Sequence, residues 1–391
     1  DLSPFVCFSY SFYQSFIMCD YDAPKVAPEG GGTYHAFHHC EFWVGNAKQA
    51  AAYYCARFGF NMVAYRGLET GSREIASYVV GQGDIKFCFT SSITPKDPLK
   101  IGARVAVRGD GVKVVAFSVD KCKHIYEKAI KRGGKSVSEP ELLKDDNGSV
   151  WVASIQTYGD TVHTFVEDVD YKGCFLPGFQ TITEPEPLAV ITPPVGLQFI
   201  DHIVGNQPED QMIPVVEFYE KVLEFHRFWS VDDKQMCTEY SALRSVVMAS
   251  FEEKVKMPIN EPAPGLRKSQ IQEFVEFFGG DQVEDGGAGV QHIAMHTEDI
   301  ITTVTHLRAR GLEFLKVPAT YYEDLKKRLA KSDIKVKEDL DKLQELCILV
   351  DFDDKGYLLQ IFTVPLQCRP CLFTEIIQRA GNSGFGIGNF K

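Results

Sequence analysis

The chain has 391 residues, of which 45% are hydrophobic and 24% are charged, a composition typical of globular proteins and long enough for two domains. Its formal net charge of −12 argues against a nucleic acid or an anionic membrane surface as partner. No apolar run is long enough to span a bilayer, and 11 scattered cysteines in a chain of this size indicate reduced thiols in a cytoplasmic protein.

Residues 1–17 form an apolar and aromatic start to the chain. A signal peptide would require a basic first segment and a small-residue cleavage site, and neither is present. Met18 offers a start for the native protein. We therefore expect residues 1–17 to lie outside it, and we regard residues 1–34 as an N-terminal extension.

The two halves of the chain match each other in sequence. Gly111 matches Gly289 at a separation of 178 residues, and Gly148 matches Gly356 at a separation of 208 residues. Ungapped blocks with a stepwise growing offset indicate a domain duplication with loop insertions rather than an array of short repeats. The proline-rich segment at 180–195 reads as a linker. The predicted domains are therefore residues 35–179 and residues 196–391.

The second copy shows the predicted elements most clearly. In chain order they are a strand at 197–205, a helix at 215–225, a strand at 245–251, a strand at 289–297, a helix at 299–311 and a hairpin at 348–363. The strand–helix–strand pattern thus restarts within one copy. We predict an α+β fold in which each domain contains two βαβββ modules that form an open half-barrel sheet with a cavity on its concave face.

Only the second copy carries a set of residues suited to bind a metal. Aligned on the repeat, the three matched pairs are His202 with Phe42, His292 with Val114, and Glu375 with Glu167. Two histidines and one carboxylate are the ligand set of non-haem Fe(II) oxygenases. A zinc hydrolase is the alternative, but such enzymes typically carry both histidines in one HExxH helix, which this sequence lacks. This comparison predicts a metal-binding half and a scaffold half.

Each of these residues also has a purely structural interpretation. A single histidine on a strand is more often an ordinary packed residue than a ligand. Glu375 lies in an apolar run, where burial without a partner would be costly, so it requires a cation. His35, His38 and His39 precede the position matched with His202, and we expect them at the surface or at a sheet edge.

Several specific motifs resemble animal 4-hydroxyphenylpyruvate dioxygenases, and the likeness covers residues 34–391. They include GNAKQAA (45–51), YRGLETGSRE (65–74), DHIVGNQP (201–208), PINEPAPG (258–265), GAGVQHIA (287–294) and GFGIGNF (384–390). That family belongs to the vicinal-oxygen-chelate superfamily, whose glyoxalase/dihydroxybiphenyl dioxygenase-like domains consist of paired βαβββ modules. The resemblance therefore implies two tandem domains of this kind, in agreement with the repeat.

The resemblance implies an enzyme with one Fe(II) per subunit, held by His202, His292 and Glu375. Its substrates would be O2 and the aromatic keto acid 4-hydroxyphenylpyruvate, and its products homogentisate and CO2, as in tyrosine and phenylalanine catabolism. The implied reaction combines oxidative decarboxylation, ring hydroxylation and side-chain migration. The family also suggests a homodimer.

The resemblance further implies a substrate pocket with a polar and an aromatic part. The polar part would consist of Ser245, Asn260, Gln270 and Gln291, the two glutamines also serving catalysis. The aromatic part would consist of Phe362, Phe373, Phe385 and Phe390. We expect the first two phenylalanines to sandwich the substrate ring and the last two to close the cavity, although each alone fits ordinary core equally well. An apolar slot with a few aimed amides suits a phenol ring.

Two features depart from the family pattern. Residues 278–285 form an insertion, which we expect to be a surface loop. Family members continue into a C-terminal helix that covers the active site, whereas this chain stops at Lys391, so we expect the ligand set to lack its lid. Hydroxymandelate synthase, which shares the ligands and the substrate, is the nearest alternative. A non-catalytic binding protein on the same fold is the second.

Overall fold

The computed structural model describes residues 25–231, 242–265 and 268–386. Residues 1–17 and Phe390, about which the sequence made specific predictions, lie outside these ranges. Within the described ranges, each predicted domain contributes one mixed sheet. In the same part of the chain, no helix combines the length and the apolarity needed to cross a membrane.

The N-terminal sheet contains two βαβββ modules in succession, as predicted. The elements are β1 (Tyr34–Trp43), α1 (Ala47–Phe58), β2 (Asn61–Arg66), β3 (Ile75–Gln82), β4 (Ile85–Ser92), α2 (Ile101–Arg108), β5 (Gly111–Val119), α3 (Cys122–Lys131), β6 (Lys135–Asp145), β7 (Gly148–Gln156), β8 (Val162–Asp168), β9 (Gln180–Thr181) and α4 (Pro187–Ile191). The strand order is β6-β7-β8-β5-β1-β4-β3-β2-β9. The first strands of the two modules, β1 and β5, pair antiparallel at the centre of the sheet.

The C-terminal sheet repeats this topology. Its elements are β10 (Leu197–Asn206), α5 (Met212–Leu223), β11 (His226–Val231), β12 (Ala242–Ala249), β13 (Lys256–Ala263), α6 (Gln270–Phe277), β14 (Gly289–Thr297), α7 (Ile300–Ala309), α8 (Ala319–Leu329), α9 (Leu340–Leu346), β15 (Leu349–Phe352), β16 (Tyr357–Phe362) and β17 (Phe373–Ala380). The strand order is β11-β12-β13-β10-β14-β17-β16-β15. Helices α8 and α9 are inserted between α7 and β15 and were not predicted.

Local sequence signals account for the helices on which the modules depend. Asn46 precedes α1, and its side chain accepts a hydrogen bond from the backbone N–H of Gln49. Asp299 caps α7 in the same way. Both are residue types that satisfy the unpaired N–H groups of a first helical turn. Gly311 follows α7 with φ +78°, a left-handed conformation that glycine adopts without strain.

Strand pairing corrects the match between the two copies. In the N-terminal sheet His39 pairs with Ala116, and in the C-terminal sheet His202 pairs with Ala294. Because the two alanines are 178 residues apart, as in the strongest block of the repeat, His39 is the counterpart of His202. The predicted match with Phe42 was wrong by three residues.

The carboxylate was also matched incorrectly. In the parallel pairs next to the central strands, Ala294 lies opposite Glu375, whereas Ala116 lies opposite Thr164. Thr164, not Glu167, is therefore the counterpart of Glu375. The match of His292 with Val114 agrees with the strand pairing.

Glu167 has a structural role that confirms the corrected register. Its carboxylate accepts a hydrogen bond of 2.7 Å from the backbone N–H of Cys122, the first residue of α3. Gln378 accepts one of 2.8 Å from the N–H of Ile300, the first residue of α7. The two capping residues are 211 apart, the same separation as Thr164 and Glu375. Glu167 is thus a helix cap and not a relic of a ligand.

The segment at 278–285 was expected to be a surface loop, and this is only partly so. Phe278 is buried, and its carbonyl accepts a hydrogen bond from Arg108 of the N-terminal domain. Asp285 forms an ion pair with the same arginine. The exposed part is the short turn around Gly280–Gln282. This segment therefore contributes to the contact between the domains.

Candidate metal centre

The three residues singled out by the repeat meet on adjacent central strands. His202 lies on β10, His292 on β14 and Glu375 on β17, and all three are buried. One candidate ligand atom from each lies within 4.8 Å of the others. The Nε2 atoms of His202 and His292 are 3.2 and 3.3 Å from Glu375 Oε2. Small Ala294 lies between them, paired with His202 on one side and Glu375 on the other.

Each histidine is oriented by the residue before it. Nδ1 of His202 is 2.7 Å from the Asp201 carboxylate, and Nδ1 of His292 is 2.9 Å from the Gln291 side-chain oxygen. If each Nδ1 carries the proton and donates it, both Nε2 lone pairs remain directed at the centre. Metal-binding histidines characteristically donate their second N–H to such an acceptor, which fixes ring orientation and tautomer.

The electrostatics of the cluster favour a cation. Burial opposes charge on His202, but the charge of Glu375 and the hydrogen bond to Asp201 raise its pKa overall. Burial would raise the pKa of Glu375, but the two histidines lower it. For His292 burial prevails and lowers the pKa. An ionised carboxylate is thus held in a buried pocket, and its second oxygen, Oε1, has no hydrogen-bond partner among the described residues. Such an oxygen suits a metal ion.

The predicted polar lining is partly assembled around this cluster. Ser245 is buried on β12 and pairs with half-buried Asn260 on β13. Gln291 is the hydrogen-bond partner of His292. Gln270 begins α6 and is exposed, so none of the described contacts brings it to the metal ligands.

The structure adds two amides that the sequence reasoning missed. Asn206 follows His202 on β10 and pairs with Asn260 on β13, and Gln360 lies on β16 two residues before Phe362. Both side chains are fully buried, and neither oxygen nor nitrogen of either amide has a partner within the described residues. The signal available in the sequence was a polar residue on the same strand face as a predicted site residue.

The aromatic part of the pocket surrounds the histidines. The Phe373 ring stacks on His292 at 4.8 Å and 19°, and Phe362 approaches His292 edge-on at 5.8 Å. The two phenylalanine rings are 6.0 Å apart at 80°, which is a perpendicular rather than a parallel arrangement. Phe385 approaches His202 edge-on at 5.0 Å.

At the equivalent place in the N-terminal domain, a ring covers the histidine and the neighbouring hydroxyl groups bond to one another. His39 was expected at the surface or at a sheet edge, yet it is buried on the central strand β1. Its Nδ1 lies 2.7 Å from Nδ1 of His38, and the Phe175 ring covers it at 4.9 Å. The remaining polar groups bond to one another in two pairs. These are Ser77 with Thr90 at 2.9 Å and Ser154 with Thr164 at 2.8 Å. By strand pairing, Ser77 and Thr90 are the counterparts of Ser245 and Asn260.

Comparison with known proteins agrees with the fold and with the dioxygenase resemblance. Residues 36–152 and 199–361 match the model of the Glyoxalase/Bleomycin resistance protein/Dioxygenase superfamily. The 4-hydroxyphenylpyruvate dioxygenase of Danio rerio is 55% identical over 96% of this chain and 92% of its own length. The enzyme of that name from Dictyostelium discoideum is 55% identical over 91% of this chain and 95% of its own.

The chain belongs to the 4-hydroxyphenylpyruvate dioxygenase family. Among solved structures, a triple mutant of 4-hydroxymandelate synthase from Streptomyces coelicolor superimposes with a TM-score of 0.76 at 26% identity, covering 92% of this chain and 96% of its own. The tandem half-barrel fold predicted from the repeat is thereby confirmed. The dioxygenase family resemblance stated from the motifs is confirmed as well.

Proposed function

We propose that this chain is a 4-hydroxyphenylpyruvate dioxygenase that uses Fe(II) held by His202, His292 and Glu375. The buried carboxylate beside two oriented imidazoles supports the metal site. Identity of 55% to curated relatives of that name, over nearly the whole chain, supports the activity. The reaction converts 4-hydroxyphenylpyruvate and O2 into homogentisate and CO2.

The donor set fits iron better than a hydrolytic zinc ion. Two imidazoles and one carboxylate from three different strands would hold the ion and leave coordination positions for other ligands. When bound, Fe(II) supplies the redox chemistry for oxidative decarboxylation of the keto acid and hydroxylation of its ring. Asp201 and Gln291 hold the two imidazoles in the ligating orientation.

The remaining pocket residues bind and orient the substrate. Directed hydrogen bonds would come from the amides of Asn206, Asn260 and Gln360 and from the hydroxyl of Ser245. Burial strengthens each of these bonds because the surroundings have a low dielectric constant. Two of these amides are buried without partners, so a polar ligand group would satisfy them. A substrate lacking that group would leave them unpaired, which disfavours its binding.

The phenylalanines exclude water and set the ring position. Phe362 and Phe373 form a corner against His292, and Phe385 approaches His202 edge-on. A phenol ring entering this corner would stack against an aromatic face, a contact that stabilises aromatic pairs by about 0.5–1.5 kcal/mol beyond burial. Closing the site to water suppresses side reactions of the oxidant.

Product identification tests the proposal directly. Protein loaded anaerobically with Fe(II) is mixed with 4-hydroxyphenylpyruvate and O2, and oxygen uptake and products are measured. Homogentisate is the expected product. Hydroxymandelate would instead assign the chain to the synthase activity of its structural neighbour. Absence of oxygen uptake would point to a binding protein that retained the fold.

Three further assignments belong to the same proposal. Residues 196–391 form the catalytic domain, and residues 35–179 form a scaffold domain without the metal-ligand set. A cytoplasmic location is supported by the cysteines, since all eight within the described residues are free thiols. A homodimer is proposed from the family resemblance. Sedimentation of the purified protein in the analytical ultracentrifuge measures its oligomeric state.

A further inference from the structure

We propose that Arg379 is a positioning residue that couples the metal ligand His202 to the segment closing the pocket at Phe385. The inference rests on the proposed metal site and adds a residue that no motif pointed to. Arg379 follows Glu375 by four residues on β17 and is mostly buried. Its hydrogen bonds within the described residues go to Asp201, Asn382 and Gly384 and not to the proposed ligand atoms.

Contacts run from the ligand to the arginine without interruption. His202 donates from Nδ1 to Asp201 Oδ1 over 2.7 Å. Arg379 grips the same carboxylate with two parallel hydrogen bonds, from Nε to Oδ2 at 2.8 Å and from Nη2 to Oδ1 at 2.7 Å. A two-pronged arginine–carboxylate pair fixes the carboxylate plane as well as its position. The orientation of the His202 ring is therefore set by the guanidinium through Asp201.

The third nitrogen of the same guanidinium holds the closing segment. Arg379 Nη1 donates to the carbonyl oxygens of Asn382 at 3.3 Å and Gly384 at 2.6 Å. The guanidinium carbon also lies 5.5 Å from the centre of the Phe385 ring, and that ring contacts His202. The Arg379 side chain thus contacts both Asp201, which orients His202, and the segment that ends at Phe385, whose ring contacts His202.

The N-terminal copy lacks this link. By strand pairing, the counterpart of Arg379 is Asp168, and the counterpart of Asp201 is His38. Phe175 nevertheless covers His39 in the same edge-on manner as Phe385 covers His202. A ring over the histidine therefore needs no arginine for the fold alone, and the arginine bridge occurs in the copy that carries the complete ligand set.

The coupling has a measurable consequence, because linkage between two sites is reciprocal. If the bridge transmits the position of His202, Fe(II) binding must increase the order of residues 380–386. Weakening the bridge must lower iron affinity and uncouple the segment from the metal. Loss of partners that orient a metal-binding histidine typically lowers metal affinity about 10- to 100-fold.

The experiment compares Arg379→Lys with Arg104→Lys. Arg104 is a matched control, because it also binds a carboxylate through Nε and Nη2 (Asp160, 2.6 and 3.4 Å) and donates to a carbonyl, that of Val112 at 3.0 Å. It lies in the N-terminal domain. Fe(II) affinity is measured anaerobically by competition with a chromophoric chelator. Hydrogen–deuterium exchange of the peptide covering 380–386 is followed with and without Fe(II).

The wild type and Arg104→Lys are expected to bind Fe(II) alike and to show slower exchange of this peptide when iron is bound. Arg379→Lys is expected to bind at least 10-fold more weakly and to show no iron-dependent slowing at saturating Fe(II). Wild-type affinity together with wild-type slowing in Arg379→Lys would overturn the inference.

A second variant keeps the test decisive if Arg379→Lys does not fold. Asp201→Asn retains an oxygen acceptor for His202 Nδ1 but removes the negative charge that binds Arg379. It must therefore also lose the iron-dependent slowing of hydrogen–deuterium exchange. Retention of that slowing in Asp201→Asn would equally contradict the bridge. Failure of the wild type itself to bind Fe(II) is a different result, and it would overturn the proposed function on which the bridge depends.

Discussion

Acidification should destabilise the protein through His163, a buried histidine at the contact between the two domains. Its Nε2 lies 2.7 Å from the hydroxyl of Tyr219 on α5, and its Nδ1 lies 3.2 Å from the carbonyl of Val115. The neutral ring fits this setting if Nδ1 donates and Nε2 accepts. Burial lowers the pKa of His163 to about 3, and the hydrogen bond to the Val115 carbonyl opposes that shift only in part.

The magnitude follows from linkage between protonation and folding. In the unfolded chain the ring has an ordinary pKa of about 6.5. Because the folded pKa is lower, the unfolded state binds the proton first as the pH falls. The contribution of the neutral His163 ring to the free energy of unfolding is complete above about pH 6.5 and is lost progressively toward pH 3. Because pH 5 lies about 1.5 pH units below the unfolded pKa, protonation of the unfolded chain lowers the free energy of unfolding by about 2 kcal/mol.

Denaturant unfolding of the wild type and His163→Gln at pH 7.5 and pH 5 measures this effect. Glutamine keeps a polar side chain at the site but does not titrate. The free energy of unfolding should fall by about 2 kcal/mol more in the wild type than in His163→Gln. His35→Gln, at an exposed position, controls for removal of a histidine as such. The same loss in the wild type and His163→Gln would refute the reasoning.

The site supports three more predictions. Glu375→Gln should abolish Fe(II) binding in an anaerobic titration, whereas Glu167→Gln should keep it and lose about 1 kcal/mol of stability through the weakened helix cap. His202→Ala should remove the bound iron, whereas His39→Ala should leave one iron per chain by metal analysis, and equal iron loss in both would contradict the corrected register. Gln360→Leu should lower kcat/KM for the keto acid at least 10-fold. The midpoint of thermal unfolding should stay the same or rise, because the amide that is removed is buried and has no hydrogen-bond partner within the described residues. Unchanged kinetics would exclude this amide from substrate binding.

The sequence predicted the elements of the C-terminal domain well where periodicity and caps agree. The strand predicted at 289–297 is β14, with identical bounds, and the helix predicted at 299–311 is α7 between its Asp299 cap and Gly311. These signals are local and need no knowledge of the partner strands. Helices α8 and α9 were missed because the repeat offers no counterpart for them in the first copy.

The register between the copies could not be read from identical letters. VGN occurs at 44–46 and at 204–206, and the sequence match aligned the two. In the structure Asn46 caps α1, whereas Asn206 is the last residue of β10 and pairs with Asn260. The same tripeptide thus serves two different structural purposes. Irregular pairing in both central strand pairs adds further shifts, which only hydrogen-bond partners reveal.

The corrected register changes what distinguishes the two halves. The N-terminal pocket has kept one histidine, His39, and lacks only the second imidazole and the carboxylate, at Val114 and Thr164. Restoring those two donors would not be enough to make a metal site. Replacing Thr164 would leave Ser154 without its hydrogen-bond partner, and the Phe175 ring would still pack on His39.

In the C-terminal pocket the opposite holds. One oxygen of Glu375 and the whole amides of Asn206 and Gln360 are buried without partners among the described residues. Leaving such groups unpaired costs about 1–3 kcal/mol each. A fold that met only its own requirement for stability would have paired them, as the N-terminal domain pairs its hydroxyls. These unpaired groups are therefore the ones that the proposed metal ion and polar substrate would satisfy.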